Sequence, residues 1–151
     1  MNMIPFPERC YGRNVIEVAR AVAITPQDEI LLGRAVPSIN YTGRENHYEL
    51  LGGKLEGDDP VQAAIREINE ETGGAQLFDP IYIGVVPYTI QPHTREGRFA
   101  GMIIVQHVIR GVLQGKVAPS GEHSELILAP LNKVSQIPLR PGTEIALNWA
   151  S

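Results

Sequence analysis

At 151 residues, 43% hydrophobic and 20% charged, the chain has the size and composition of one ordinary globular domain, which excludes a disordered protein. A net charge of −4 with no basic run excludes the electrostatic footprint of a duplex-DNA binder. One cysteine, Cys10, excludes an internal disulfide and a cysteine zinc site, and no apolar stretch approaches the roughly 18 residues of a membrane span.

In chain order, MNMIPFPERCYGR is broken by prolines and does not read as a signal peptide, so the expected setting is reducing and cytoplasmic. Val15–Ile24 reads as a strand and Ile30–Arg34 as a second, with Thr25-Pro26-Gln27-Asp28 turning between them. Residues 35–47 form a polar loop, and Tyr48–Leu51 a short strand that feeds Gly52 and Gly53. A helix follows from about residue 60 to about residue 72. Asp59 is placed to accept a bond from an orphan amide, Pro60 suits the first helical position, and Gly73-Gly74 supplies a left-handed stop. Ile81–Ile90 and Gly101–Gly111 read as long strands flanking a loop from Gln91 to Ala100. A short strand at Leu126–Ala129 and a short helix after Pro141-Gly142-Thr143 complete a mixed α+β domain, with no repeats and no linker.

On a wheel of 3.6 residues per turn, Val61, Ala64, Ile65, Ile68 and Thr72 form the stripe that packs on a core. Glu67, Glu70 and Glu71 share the neighbouring face at i, i+3 and i+4. Like charges at that spacing cost about 0.2–0.5 kcal/mol per pair, and only Arg66 is near enough to offset them. A hard divalent cation would turn the repulsion into coordination. Taken alone, such a face reads more readily as a solvated acidic surface.

The spacing decides between these. From Gly52 the chain reads five residues, Asp58, seven residues, Arg66-Glu67-Ile68, one residue, Glu70-Glu71, one residue, Gly73. This resembles the Nudix box, G-x5-E-x7-R-E-U-x-E-E-x-G-U with U a bulky aliphatic. The flanks Tyr48-Glu49-Leu50-Leu51 and Lys54-Leu55-Glu56-Gly57 also resemble the family's. Two positions depart. Asp58 stands where Glu is typical, with the same charge and a shorter reach, and Gly74 stands where an aliphatic packs after the cap.

The resemblance implies a Nudix-type α/β/α sandwich with a mixed sheet, and hydrolysis of a pyrophosphate bond in a nucleoside diphosphate linked to another group. It implies magnesium or manganese on Glu67, Glu70 and Glu71, with the Gly52 carbonyl as a further ligand, and Arg66 fixing the carboxylates. Glu122 resembles the extra metal-binding or catalytic loop glutamate of some family members, and so is a further candidate metal ligand, with Glu125 its competitor and Leu128 where those members have Trp. Glu67, Glu70, Arg66 and Glu122 are therefore the candidate catalytic residues. Gly53, Lys54, Arg34 and Arg95 are the candidate substrate contacts, while Tyr88 reads either as a base-stacking ring or as sheet packing. A homodimer is the expected assembly. A non-catalytic Nudix-fold nucleotide sensor is the alternative, disfavoured because every box carboxylate is kept. An isomerase of the same fold needs a catalytic cysteine that Cys10 does not supply.

Overall fold

Alternation in the first strand sets the architecture. In β1 (Val15–Ile24), Ala19, Ala21 and Ala23 face one side of the sheet and Val22 the other, as a two-residue period requires. The small alanines leave room for a helix close against the sheet. The structure, a computed structural model, describes residues 15–35, 46–89, 103–120 and 123–150. The elements that follow are β2 (Glu29–Ala35), β3 (Tyr48–Glu49), β4 (Leu51–Lys54), α1 (Pro60–Thr72), β5 (Gln76–Thr89), β6 (Ile103–Gln114), β7 (His123–Pro130), a 3₁₀ turn at Leu131–Gln136, and α2 (Pro141–Ala150).

The strands form one mixed sheet in the order β3-β2-β1-β6-β5, with β4 also on β1 and β7 also on β2. β1 and β6 run parallel over ten paired residues, from Val15 opposite Ile103 to Ile24 opposite Val112. On one face, Ala63, Ala64 and Ile68 of α1 pack with the β1 alanines, Leu31, Leu51 and Ile109. On the other, Ala146 of α2 packs with Val22, Ile30, Leu32, Leu50 and Val108. Burial of the valines, leucines and isoleucines among these, each worth about 1.5–3 kcal/mol, holds the α/β/α sandwich together, while the alanines set the close approach.

Several boundaries differ from the sequence reading. The strand expected at 48–51 divides at Leu50, because β3 pairs with β2 while β4 pairs with β1. Leu50 N–H donates instead to Thr143 Oγ1 at 3.0 Å. β5 begins at Gln76 rather than Ile81. A bulge at Asp79-Pro80, with Asp79 at φ 51°, breaks the period and disguises the first half of the strand. β6, described from Ile103, runs on past Gly111, where a side chain would meet Leu77 at 2.7 Å, to Gln114, and β7 extends back to His123. The loop expected at 91–100, most of the loop at 35–47, and Cys10 lie outside the described residues. Among the described residues no helix is long and apolar enough to cross a membrane.

Candidate active site

Helix α1 spans the residues its caps predict. Asp59 accepts from the Gln62 N–H at 3.0 Å, Pro60 occupies the first turn, and Gly73 closes the helix at φ 74°. The N–H groups of Gly73 and Gly74 both donate to Asn69 O, and Gly74 sits at φ 127°. That backbone suits glycine, which accounts for the absence of an aliphatic side chain there.

The acidic face is where the wheel needs correction. Glu67 and Glu71 are not beside the packed stripe but within it, 9% and 4% exposed, together with Ala63, Ala64, Ile68 and Thr72. Glu70 is separate, its side chain 61% exposed. Val61 and Ile65, expected within the packed stripe, are only partly buried against the core. Both buried carboxylates lie under the glycine loop. The Gly52 N–H donates to Glu71 Oε2 at 3.2 Å, and a side chain at Gly53 would meet Glu67 Oε1 at 2.7 Å. Gly52 has no room either, since a Cβ there would lie 1.9 Å from the Ala19 carbonyl oxygen of β1.

Arg66 gathers the remaining acids. It bonds Asp58 and donates to Glu67 Oε1 and to the Lys54 carbonyl, each at 3.2 Å. Glu56 and Glu70 stand at 3.7 and 3.9 Å. The hydrogen bond to Glu67, with the charges of Asp58, Glu67 and Glu56, holds the guanidinium above its ordinary pKa. Asp58 thus reaches Arg66 despite its shorter side chain, and the i,i+4 contact with Glu70 is the weakest of the set.

An oxygen-seeking divalent cation fits this donor set. The chain provides three carboxylates and a loop carbonyl, and at Gly53 the space a Cβ would occupy is kept clear beside Glu67. Among the described residues no three acidic or histidine side chains already converge at metal-binding distance. Glu70 in particular stands apart on Arg66.

Beside the loop opens a cavity of about 360 Å³. Gly52, Gly53, Lys54, Glu56 and Glu67 border one end. Ile16, Val18 and Arg20 of β1, Ile104 and Gln106 of β6, and Tyr88 of β5 line its sheet wall, and Pro141, Gly142 and Thr143 bring in the start of α2. Its floor is a cluster that the sequence reading missed: Glu49, His123 and Arg140. The backbone ties it together, as Tyr48 N–H donates to Pro138 O at 2.8 Å and Arg140 N–H to Tyr48 O at 2.9 Å. Arg140 is thereby set beside Glu49, with its Nε 3.6 Å from Glu49 Oε2. His123 Nε2 lies 3.3 Å from Glu49 Oε1, and its ring fits over Gly33, where a Cβ would approach to 2.5 Å. Burial alone would raise the Glu49 carboxyl. The His123 hydrogen bond and the charges of Arg20, Arg140 and His123 outweigh it and hold the group below its ordinary value.

Of the predicted residues, the structure brings Gly52, Gly53, Lys54, Arg66, Glu67 and Glu71 together, with Glu70 at the margin. Arg34 is not among the cavity's lining. It is occupied on the β2–β7 pair, 3.2 Å from Glu125 and 3.4 Å from Ser124 Oγ. Glu125, which also accepts from the Tyr48 hydroxyl at 3.0 Å, is committed there too. Leu128 packs against the α1 side of the core, and Tyr88 lines the cavity. Glu122 and Arg95 lie outside the described residues.

With that geometry in place, comparison with known proteins is direct. A NUDIX domain profile matches residues 16–150, nearly the whole chain. The chain belongs to the Nudix family, and it is a Nudix hydrolase. Among solved structures, a MutT NUDIX hydrolase from Burkholderia pseudomallei is 25% identical, covering 91% of this chain and 99% of its own, with a TM-score of 0.71. A MutT protein from Methanosarcina mazei Go1 is 22% identical, covering 92% and 95%, at 0.69. The E. coli ORF135 protein is 24% identical, covering 92% and 93%, at 0.67. The last two speak for the fold alone. No curated protein matches the chain.

Proposed function

We propose that this hydrolase is a divalent-metal-dependent pyrophosphohydrolase acting on a nucleoside diphosphate linked to another group. Nucleoside triphosphates, ADP-ribose, nucleotide sugars and dinucleoside polyphosphates fall within that class. The observation that carries the proposal is the burial of Glu67 and Glu71 against Gly52 and Gly53, two glycines that line the cavity. Two carboxylates held out of water beside a backbone stripped of side chains form an arrangement a metal–phosphate cluster can use.

In this reading Glu67, Glu70 and Glu71, with the Gly52 carbonyl, hold magnesium or manganese. Bound there, the ion neutralises phosphate charge and lowers the pKa of water. The chain's own residues do the rest. Gly53 lets the diphosphate approach the backbone, and Lys54 offers a cation at the cavity edge. Arg66 keeps the Glu67 carboxylate oriented, and a carboxylate among Glu67, Glu70 and Glu122 takes the proton of the attacking water. Arg95 remains a proposed phosphate contact. The proposal extends to a homodimer in the cytoplasm, checked by light scattering, where a monomer mass at micromolar concentration would end the dimer.

The test is release of a nucleoside monophosphate from a panel of those substrates with magnesium, abolished by chelation. Absence of turnover across the whole panel, with metal present, would overturn the reading.

A further inference from the structure

Hydrolysis of a diphosphate makes no use of the charged floor that Glu49, His123 and Arg140 contribute to the cavity. We propose that this floor reads the substrate's base and selects guanine, Glu49 accepting from its N1–H and N2–H while Arg140 donates to O6. The inference rests on the hydrolase reading above, which places the phosphates at the glycine loop.

On the sheet wall Ile16, Val18 and Ile104, with Tyr88 beside them, form an apolar stretch, and Arg20 and Gln106 flank it with polar groups. The apolar stretch suits the faces of a planar ring and does not by itself read the ring's edge. The edge meets the floor. Glu49 keeps 18% of its side chain exposed, and that residue borders the cavity. His123 engages one carboxylate oxygen and Arg140 faces the other. A carboxylate has about four acceptor positions, so each oxygen retains capacity for a ligand N–H. An ionised carboxylate only accepts, and a guanidinium only donates. The floor therefore presents an acceptor and a donor side by side, fixed by the backbone bonds between Tyr48 and residues 138 and 140.

Guanine is the base that complements this pair best. Its edge carries two neighbouring N–H donors and then a carbonyl. Uracil offers one N–H between two carbonyls and makes half the match. Adenine and cytosine each place a ring-nitrogen lone pair beside their amino group, which would lie against the carboxylate. A site built around hydrogen bonds rejects such mismatches strongly, because its own buried polar groups are left unpaired.

The experiment is equilibrium binding of GMP, UMP, AMP and CMP to the intact protein, with kcat/KM for the corresponding nucleoside triphosphates and magnesium measured alongside. GMP is expected to bind at least about tenfold more tightly than AMP or CMP, with UMP between, and kcat/KM to follow the same order. Glu49→Gln, whose amide turns to donate or accept, should bring the four affinities within about threefold, chiefly by weakening GMP. If that variant fails to fold, the wild-type order decides alone. Equal affinities, a preference for AMP or CMP, or no measurable binding with unranked kcat/KM would overturn the proposal. Hydrolysis without base ranking defeats this inference and leaves the hydrolase reading intact; base-ranked binding without any hydrolysis does the reverse.

Discussion

The two ends of the cavity handle charge in opposite ways. At the box end a single cation, Arg66, serves four carboxylates, those of Asp58, Glu56, Glu67 and Glu70. At the floor a single carboxylate, Glu49, is served by His123 and Arg140, with the charge of Arg20 also acting on it. The first end is short of positive charge and suits a ligand that brings a cation. The second sets several basic groups around one carboxylate and suits a ligand that brings acceptors. A metal–nucleotide has that polarity, so the difference between the ends orients the substrate before any pose is drawn.

The largest effect should come from the box end. Glu67→Gln or Glu71→Gln keeps shape and removes a charge that a bound cation needs. Turnover should fall about a hundredfold or more, since each 1.36 kcal/mol of barrier is a factor of about ten. Apo stability should stay within about 0.5 kcal/mol of wild type, as a like-charge contact is relieved. Melting with and without magnesium gives the check. A metal-induced rise that survives Glu71→Gln undiminished, with near-normal turnover, would dissolve the contrast between the two ends.

The paired glycines separate scaffold from site. Gly52→Ala drives a Cβ into the Ala19 carbonyl and must part β4 from β1, at a cost of about 3 kcal/mol measured by denaturant unfolding. Gly53→Ala meets only the Glu67 carboxylate, which can swing aside. Its melting temperature should change little while turnover drops about tenfold or more, because the displaced group is one that positions the reaction. Equal behaviour of the two variants would mean that Glu67 is not held for chemistry.

Smaller still is Arg66→Ala, expected to lower stability by about 1 kcal/mol by urea unfolding and turnover by about tenfold, because several carboxylates lose their shared partner. The smallest effect is confined to acid. The Glu49 pKa is lowered in the folded state, so its contribution is complete above the ordinary value of 4.5 and is lost as pH falls through the lower folded value. The stability gap between wild type and Glu49→Gln should therefore be constant near neutrality and narrow only below about pH 4.5. A gap that closes at higher pH would show that Glu49 is not held ionised by its cations.

How much of this was legible follows from locality. The box runs through one loop and one helix, so Gly52, Gly53, Arg66 and the glutamates keep fixed spacings in the chain, and both helix caps could be read from Asp59-Pro60 and Gly73. The wheel failed on Glu67 and Glu71 because a stripe drawn from apolar residues leaves out charges in advance. Packing against the glycine loop rather than polarity sets which side is covered. The floor was invisible for the opposite reason. Glu49 and His123 are 74 positions apart, Arg140 comes from a third element, and each looks ordinary in its own segment. One hint was present: a glutamate directly before Leu50-Leu51, both fully buried, needs a cation from elsewhere in the chain. The pairing of Arg34 with Glu125 across the sheet was equally hidden, because proximity to a loop in sequence says nothing about a partner far along the chain.

The parallel ladder between β1 and β6 also governs how the chain assembles. Ten residues of β1 find their register only against a strand that begins at Ile103, long after the box itself has been made. Closing so distant a pairing carries a loop-entropy cost before any contact rewards it, which places this domain among slower folders than a helical bundle of equal size. During synthesis the two apolar faces of β1 wait without that neighbour, a window in which association with other chains competes with folding. A chain halted before Ile103 would carry the complete box and lack the strand that holds β1 in place.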